Sequence, residues 1–346
     1  MSPIRAGVLL AVVAAVAFGV TTPIVAWAGR HAGAFTTAAL LYAGAAIAAL
    51  ALRAVAGLSH APLRRNDVAR VLAVAIVGGA IAPTLLAWGL QRSGPTIGSL
   101  LLNLEAVFTV LLARALFREP IGARVAVAML AMVAGGVALS LEAWHAARWG
   151  LVGMLAVAAA TAAWATDNAL TRPLAERDPL EVVAAKGGIG AAITTIAALV
   201  AGESVPPLWA AASLLACGAT GYGLSLRLYL LAQRRIGAGR TGSVFALAPF
   251  IGAALAVALG DRSAGAWTLA AAGLFVIGVV LHVTEHHAHA HVHDPVEHDH
   301  VHRHPDEHHT HDHDPPFVGE HAHSHRHDQI EHAHAHAPDV HHGHAH

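Results

Sequence analysis

The chain has 346 residues, of which 55% are hydrophobic and only 12% are charged. About a quarter of the residues of a soluble domain are charged, so the composition excludes an ordinary soluble protein and indicates one that spans a membrane. The net charge of −1 hides an asymmetry: the chain up to Val283 has 19 Lys and Arg against 10 Asp and Glu, whereas the last 63 residues have 2 against 12. The single cysteine, Cys217, excludes an intramolecular disulfide.

Up to Val283, the sequence divides into apolar segments that are long enough to cross a bilayer, which requires about 20 residues each. The first segment follows Arg5, and its length favours a membrane span over a cleaved signal, although Ala26-Trp27-Ala28 has the small residues of a cleavage site. The prediction is therefore an all-α integral membrane protein with ten spans. Their predicted limits are 6–28, 33–56, 68–90, 95–117, 121–141, 150–171, 180–201, 208–231, 240–260 and 264–283.

The distribution of basic residues predicts the orientation of these spans. Fifteen Lys and Arg residues fall on the side of the N-terminus and four on the opposite side, and basic residues collect on the cytoplasmic side of membrane proteins. Because ten is an even number, the C-terminus lies on the same side as the N-terminus. We therefore expect a multi-pass protein of the cell (inner) membrane with both termini in the cytoplasm.

A sequence pattern repeats after about 143 residues. Thr-Ile-Gly-Ser-Leu at 96–100 leads to Glu-Ala-Val-Phe at 105–108, and Arg-Thr-Gly-Ser-Val at 240–244 leads to Ala-Pro-Phe at 248–250. Each repeat has five spans, an odd number, so the second must be inverted relative to the first. Inverted repeats place a substrate site near the middle of the membrane, between the halves, and work by alternating access. The predicted domains are 1–145 and 146–283, followed by a tail at 284–346.

Two segments resemble EamA-type repeats of the drug/metabolite transporter superfamily. They are LLNLEAVFTVLLARALFREP, within residues 85–140, and FALAPFIGAALAVALGDRSAGAW, within residues 245–281. The resemblance covers roughly residues 6–283 and implies a ten-helix carrier, in a superfamily most often associated with export of amino acids, metabolites or drugs. Ala106 stands where the first repeat often has proline, whereas Pro249 keeps it in the second. Because alanine does not kink a helix, the sequence gives no reason to expect a break in the fourth span.

Glu105 is the strongest candidate for a functional residue. It lies about ten residues from either end of the fourth span, so it is roughly 15 Å from each membrane surface at 1.5 Å per residue. A carboxylate at this depth is costly and is expected to face the interior of the bundle. The functional interpretation is proton coupling or contact with a cationic substrate, and the alternative is a hydrogen bond that serves packing. Asn103 lies close by and is a weaker candidate.

Further polar side chains could line the cavity between the repeats. Asp167 and Asn168 form a pair in the inner half of the sixth span, and Thr21 and Thr22 occupy the matching part of the first span. We expect these four at the inner mouth of the cavity, unless they bond only their own helices. Trp164 lies deep enough to line a pocket, although core packing also explains it.

Cations near the inner ends of the spans have an ordinary explanation. Lys186, Arg114 and Arg227 lie a few residues inside the inner boundary. Long basic side chains at this depth usually reach the interface and anchor their helix.

The tail holds 24 of the 28 histidines, many in His-x-His runs interspersed with aspartate. Imidazole suits Zn, Ni, Co and Cu, and alternate residues of an extended chain lie on one side, where they can share an ion. The composition cannot build a core, so the tail is expected to be disordered without metal. The predicted metal ligands are His287, His289, His291, His293, His298, His300, His302, His304, His309, His311, His313, His321, His323, His325, His327, His332, His334 and His336.

The sequence leaves three functional classes open. The favoured one is a secondary carrier that exports a small organic solute, with no cofactor for transport and a tail that binds transition metals. The alternative is a carrier that exports divalent Ni, Co or Zn and collects these ions with the tail. The third is a membrane-tethered metal buffer. No nucleophile and base set appears, so an enzyme is not expected; the expected partners are the lipid bilayer, a small solute and metal ions, without nucleic acid, and the oligomeric state stays open.

Overall fold

The described part of the chain forms a helical bundle. The computed structural model describes residues 3–56, 61–117, 121–146, 148–174, 177–236, 238–284, 288–293, 297–303, 320–326 and 330–335. Within these residues, ten helical segments are long and apolar enough to cross a membrane. Each agrees with its predicted limits to within three residues. The segments are Arg5–His31, Ala34–Val55, Arg65–Ser93, Pro95–Leu116, Ala123–Glu142, Gly150–Thr171, Pro179–Val200, Leu208–Ala232, Arg240–Ala258 and Ala266–Val283.

Five of the spans are single helices, and they are numbered here in chain order with the rest. They are α3 (Ala34–Ala56), α8 (Ala123–Ala146), α9 (Arg148–Thr171), α10 (Pro179–Val200) and α15 (Ala266–Val283). Short 3₁₀ turns, Gly29–His31, Arg65–Asp67 and Arg172–Leu174, lie at the ends of neighbouring spans.

The other five spans are interrupted. The first, fourth and ninth spans each divide into two helices, and the third and eighth spans each contain a π-helical turn between two helices. The helices are α1 (Pro3–Gly19), α2 (Thr21–Ala28), α4 (Val68–Ile76), α5 (Ala82–Ser93), α6 (Pro95–Leu101), α7 (Leu104–Phe117), α11 (Leu208–Cys217), α12 (Ser225–Ile236), α13 (Ala238–Phe245) and α14 (Ala248–Ala258). The π turns are Val77–Ile81 and Gly218–Leu224, so they occupy the third span of each repeat.

The break in the fourth span corrects the expectation drawn from Ala106. The amide Nδ2 of Asn103 donates a 2.9 Å hydrogen bond to the Leu100 carbonyl, and the backbone N–H of Leu102 bonds Ser99 at 3.2 Å, three residues back. Asparagine competes with helical hydrogen bonds in this way. The break thus needs no proline, whereas in the ninth span Pro249 lies in the first turn of α14.

The two repeats are interlocked. The most extensive helix contacts join the second span to the seventh (α3 with α10), the fifth to the tenth (α8 with α15), the third to the sixth (α5 with α9) and the first to the eighth (α1 with α12). Every one of these pairs takes one helix from each repeat. The main core draws on both repeats as well, through fully buried side chains such as Leu41, Leu86, Leu139, Leu214 and Phe275.

Glycines permit the closest crossings between the repeats. A Cβ atom on Gly218 would lie 1.9 Å from the Leu41 carbonyl oxygen, and one on Gly190 would lie 2.6 Å from that of Gly79. Real Cβ contacts are not this short, so each position requires glycine. Because helices alternate in direction, the start of α1 and the end of α15 lie at one end of the bundle, which we call the terminal face. The opposite end is the far face.

The described part of the tail is not helical, and it follows the last span as the sequence predicts. Four short strands occur in its described part, β1 (Ala288–His293), β2 (Glu297–Arg303), β3 (Glu320–Arg326) and β4 (Ile330–Ala335). They form two antiparallel pairs, β1 with β4 and β2 with β3, and their extensive contacts stay within each pair. Two-stranded pairs are marginally stable in water, so this pairing supplies no core to the tail.

Candidate functional site

Glu105 lies in the first turn of α7, directly after the break in the fourth span. Its Oε1 accepts a 2.8 Å hydrogen bond from Nδ2 of Asn168 on α9. The side chain of Glu105 is half-buried, and Asn168 is exposed about one turn before α9 ends at the terminal face. An amide in a membrane span is expected to face water or protein rather than lipid. Two residues that the sequence singled out separately are therefore in direct contact.

Asp167 and Lys186 form an ion pair beside this contact. Nζ of Lys186, on α10, donates to Oδ2 of Asp167, and the two side chains are only 18% and 5% exposed. The Asp167 carboxylate packs on Gly78, where a Cβ atom would lie 2.2 Å from the carboxyl carbon. The interpretation of Lys186 as a membrane anchor was wrong, because its ammonium group points into the bundle toward a buried carboxylate.

Aromatic side chains converge on the π turn of the third span. Both Oη of Tyr42 and Nε1 of Trp164 donate to the carbonyl oxygen of Gly78, the latter at 3.3 Å. Tyr42 and Trp164 are buried in the main core, so Trp164 packs in the core and also fixes a polar group of the site. π-helical turns occur frequently at functional sites.

Tyr222, from the π turn of the eighth span, contacts three further aromatic side chains. Its ring centroid is 5.6 Å from that of Phe18, 5.7 Å from that of Tyr42 and 6.3 Å from that of Trp164. Phe18 in turn lies 5.6 Å from Phe245, at the end of α13. We call these five residues the aromatic layer. It joins the first, second, sixth, eighth and ninth spans in the middle of the bundle.

Two predicted site residues lie elsewhere than expected. Thr21 and Thr22 are buried at the start of α2, in the far-face half of the first span, whereas Asp167 and Asn168 lie in the terminal-face half of α9. The two pairs therefore do not share a mouth, because inversion places matching parts of the repeats at opposite faces. Oγ1 of Thr21 bonds the Phe18 carbonyl at 2.6 Å, and Asn103 serves the break in the fourth span.

On the far-face side, the site is closed by close contacts between helices. α6 packs on α14 and on α2. A Cβ atom on Gly19 would lie 2.5 Å from the Ala248 carbonyl oxygen, and one on Gly252 would lie 2.9 Å from Oγ of Ser99. The first and ninth spans therefore meet backbone to backbone between the site and the far face, and the Ser99 side chain of the fourth span packs against them.

A carboxylate fixes this closure at the surface. Oδ2 of Asp261 accepts hydrogen bonds of 3.0 Å from the backbone N–H of Thr96 and 2.7 Å from its hydroxyl, at the start of α6. Its Oδ1 accepts one from the N–H of Ser263 at 3.0 Å. Burial opposes the charge, but the bonds from Thr96 and Ser263 outweigh it and lower the pKa of Asp261 below its ordinary value. The loop after the ninth span is thus tied to the fourth span.

Toward the terminal face, the same two spans diverge. α7 packs on α8 and α9, whereas α13 packs on α1, α12 and α15. Within the described residues, α7 and α13 share no extensive contact. Glu105 and Asn168 lie on this side of the break, and we call the space between α7 and α13 the cleft. Glu105 therefore lies on the terminal-face side of the contacts that join the first, fourth and ninth spans.

Sequence reasoning missed Tyr42, Tyr222 and Gly78. Tyrosines in apolar spans look like core residues, and nothing local indicates that side chains from the second, sixth and eighth spans meet. One signal was present: Gly78-Gly79 and the run Gly218–Gly223 are glycine-rich stretches in the third span of each repeat, and both become π turns.

In the helical region that the structure describes, no three His, Cys, Asp or Glu side chains come together as a metal site. In the tail, only the backbone register bears on the predicted ligands. It sets His289 opposite His334, His291 opposite His332, His298 opposite His325, His300 opposite His323, and His302 opposite His321. His293 also lies in a strand, whereas His287, His304, His309, His311, His313, His327 and His336 lie outside the described residues.

Comparison with known proteins agrees with this architecture. The sequence matches the EamA-like transporter family over residues 5–141 and 151–284, one copy for each repeat. An uncharacterized transporter of Methanothermobacter thermautotrophicus is 30% identical over 205 residues, which are 58% of this chain and 60% of that protein. A crystal structure with 20% sequence identity and a TM-score of 0.60 covers 80% of this chain and 95% of its own, and it shows a shared fold.

Proposed function

The chain belongs to the EamA-like transporter family, and we propose from this premise that it exports a small organic solute by alternating access. It is a multi-pass membrane protein and a membrane transporter of the drug/metabolite type. We place it in the cell (inner) membrane with the terminal face in the cytoplasm, as the basic residues indicate. The solute, an amino acid, metabolite or drug, would enter the cleft from the cytoplasm, and the pathway needs no enzyme chemistry.

One observation carries this proposal. Glu105 lies between the two repeats, where α7 and α13 separate, and its carboxylate accepts a hydrogen bond from Asn168 of the other repeat. Carriers built from inverted repeats bind their substrate at this position, next to interrupted helices. Glu105 follows such an interruption directly.

The charges around the cleft favour a solute with a positively charged amine. Asp167 and Lys186 cancel each other, which leaves Glu105 as the uncompensated charge of the cluster. The aromatic layer beside it offers ring faces, and a cation over such a face gains about 0.5–2 kcal/mol. A protonated amine on an apolar body matches both features. Protonation of Glu105 after the solute leaves would couple export to proton entry.

The test compares Glu105→Gln with Glu142→Gln in proteoliposomes that hold a proton gradient. Glutamine keeps the size of the side chain and an oxygen that accepts from Asn168, but it removes the charge. We expect uptake of tryptamine, an amine on an apolar ring, to fall at least about tenfold, which corresponds to 1.4 kcal/mol. Uptake of indole-3-propionate, a matched acid, should be negligible for every variant.

Glu142→Gln is the matched control, because this carboxylate caps α15 through a 3.0 Å bond from the Thr268 N–H, away from the cleft. It should keep its transport activity. Both variants should elute from size-exclusion columns like the parent chain. Tryptamine flux in Glu105→Gln equal to that of the parent would return Glu105 to a packing role.

A second candidate function is export of divalent Ni, Co or Zn, and the histidine-rich tail is the observation that favours it. Both candidates include transition-metal binding by the tail, since its imidazoles and carboxylates suit Zn, Ni, Co and Cu. The two candidates are distinguished by measuring metal content and solute export in three strains of cells. One strain carries the full chain, one carries the chain cut after Thr284, and one carries neither. A metal carrier would lower cell metal only with the tail present, whereas an organic-solute carrier would keep its solute export without it.

A further inference from the structure

The terminal face carries a surplus of positive charge. Arg65, Arg70, Arg124, Arg235 and Arg240 are all exposed there, at the ends or starts of the third, fifth, eighth and ninth spans.

The described carboxylates of this face do not offset the surplus, because they are engaged by other arginines. Asp67 lies 2.7 Å from Nε of Arg177, and Arg53 lies 3.7 Å from Asp178 and 3.6 Å from Glu181. We call the five exposed arginines of this face the basic rim.

The tail leaves the bundle at this rim and carries the opposite charge. NH2 of Arg124, at the start of α8, donates to Oγ1 of Thr284 at the end of α15. The chain beyond Thr284 has 2 basic and 12 acidic residues, a charge of −10 with neutral histidine. The 62 residues that follow Thr284 can reach on the order of 200 Å when extended, at 3.3–3.6 Å per residue, which is ample to cross the face.

We propose that the metal-free tail, residues 285–346, docks on this basic rim, and that divalent metal ions release it. The inference rests on the proposed affinity of the tail for transition metals. Each bound divalent ion adds two positive charges, so five ions would cancel the tail charge of −10. The antiparallel register that sets histidine opposite histidine brings ligands of one ion within the tail itself, since opposed residues lie about 5 Å apart. Metal would therefore neutralise the tail without a ligand from the bundle.

The experiment measures the distance between spin labels at Ala123→Cys, exposed on the terminal face, and Ser324→Cys in β3. The chain is otherwise intact, carries Cys217→Ala, and is held in nanodiscs of uncharged phosphatidylcholine. We expect short distances without metal, and a shift of the distribution to longer distances with saturating Zn²⁺. About 0.5 M NaCl should cause a similar shift, since salt screens exposed charges beyond a few ångströms.

The controls separate docking from metal binding. Arg65→Gln with Arg70→Gln should lengthen the metal-free distance, whereas the far-face pair Arg30→Gln with Arg262→Gln should not. Calorimetry with Zn²⁺ on the full chain and on the chain cut after Thr284 measures metal binding independently. If calorimetry shows that the chain binds Zn²⁺ but the spin-label distance does not change, the docking inference is wrong, whereas the metal affinity of the tail is supported. Equal distances in the two arginine double variants would also overturn it, because the tail would then not depend on the basic rim.

Discussion

At the scale of single residues, the charged groups of the site, Glu105, Asp167 and Lys186, are tolerated because each has a partner from another span. Glu105 accepts from Asn168, and Asp167 accepts from Lys186. An ionisable side chain within a membrane span is expensive and usually functional. The two carboxylates differ, however, because a cation neutralises one and only an amide contacts the other. Exchange of a solute or a proton is therefore expected at Glu105 rather than at Asp167.

This distinction predicts an asymmetry between single and double substitutions. Lys186→Met leaves a buried Asp167 carboxylate without its cation, and removing one partner of a buried ion pair costs about 3–5 kcal/mol. Lys186→Met with Asp167→Asn removes both charges, so the thermal unfolding temperature in detergent should recover most of the loss. If the double variant unfolds at the same temperature as the single one, the pair does not act as a compensated unit.

At the scale of the helices, interruptions in matching spans of the two repeats shape the site, but they arise in different ways. Pro249 makes one break, and the Asn103 side chain makes the other. The π turns of the third and eighth spans bring the Gly78 carbonyl and Tyr222 to the aromatic layer. Only the proline was evident as a break from its residue type. Asparagine in a helix is ambiguous until its hydrogen-bond partner is known.

The capping of α6 predicts that Asp261 holds the far face closed. Asp261→Asn removes the charge and one of the accepting oxygens that serve Thr96 and Ser263, and loss of a helix cap costs about 1 kcal/mol. A difference of this size raises an open population roughly fivefold. The measurement is the maleimide labelling rate of Ser99→Cys, buried beneath this face, in a Cys217→Ala chain.

Glu203→Gln is the matched control for this variant. Glu203 also caps a far-face helix, through a 2.7 Å bond from the Thr36 N–H, but it joins α3 to the end of α10, and these helices pack extensively on each other. In the Glu203→Gln variant, the labelling rate of Ser99→Cys should equal the rate in the parent chain. Unchanged labelling in Asp261→Asn would mean that the helix contacts alone keep the far face closed.

The lowered pKa of Asp261 gives this closure a defined pH dependence. A carboxyl whose pKa is depressed in the closed state stabilises that state above its ordinary pKa, and the stabilisation is lost as pH falls through the depressed value. Labelling of Ser99→Cys, normalised to glutathione at each pH, should therefore be flat from pH 8 to 5. It should rise only below about pH 4, the ordinary range of an aspartate.

At the scale of the whole molecule, the sequence predicted the features that depend on the polarity of each residue, such as the spans. It did not predict the contacts between residues that are distant in the sequence. The ten spans follow from apolar runs, so their limits were predictable to within three residues. The repeats also follow from sequence, as do the candidates Glu105 and Asn168. Their contact, the partner of Lys186 and the gathering of Tyr42 with Tyr222 depend on how five inverted spans cross five others. A single sequence does not specify how the helices cross, so it does not predict which of these side chains come into contact.

The final prediction concerns how the whole bundle sits in the membrane. With fifteen basic residues assigned to the terminal face and four to the far face, the terminal face should remain in the cytoplasm. A green fluorescent protein fused after His346 should therefore fluoresce in cells, whereas alkaline phosphatase at that position should be inactive. The same fusions after Thr284 are the control, and they should behave alike because acidic residues contribute little to orientation. An active phosphatase after His346 would show that the terminal face lies outside the cytoplasm. The proposed direction of transport would then be reversed, and the tail would have no cytoplasmic role.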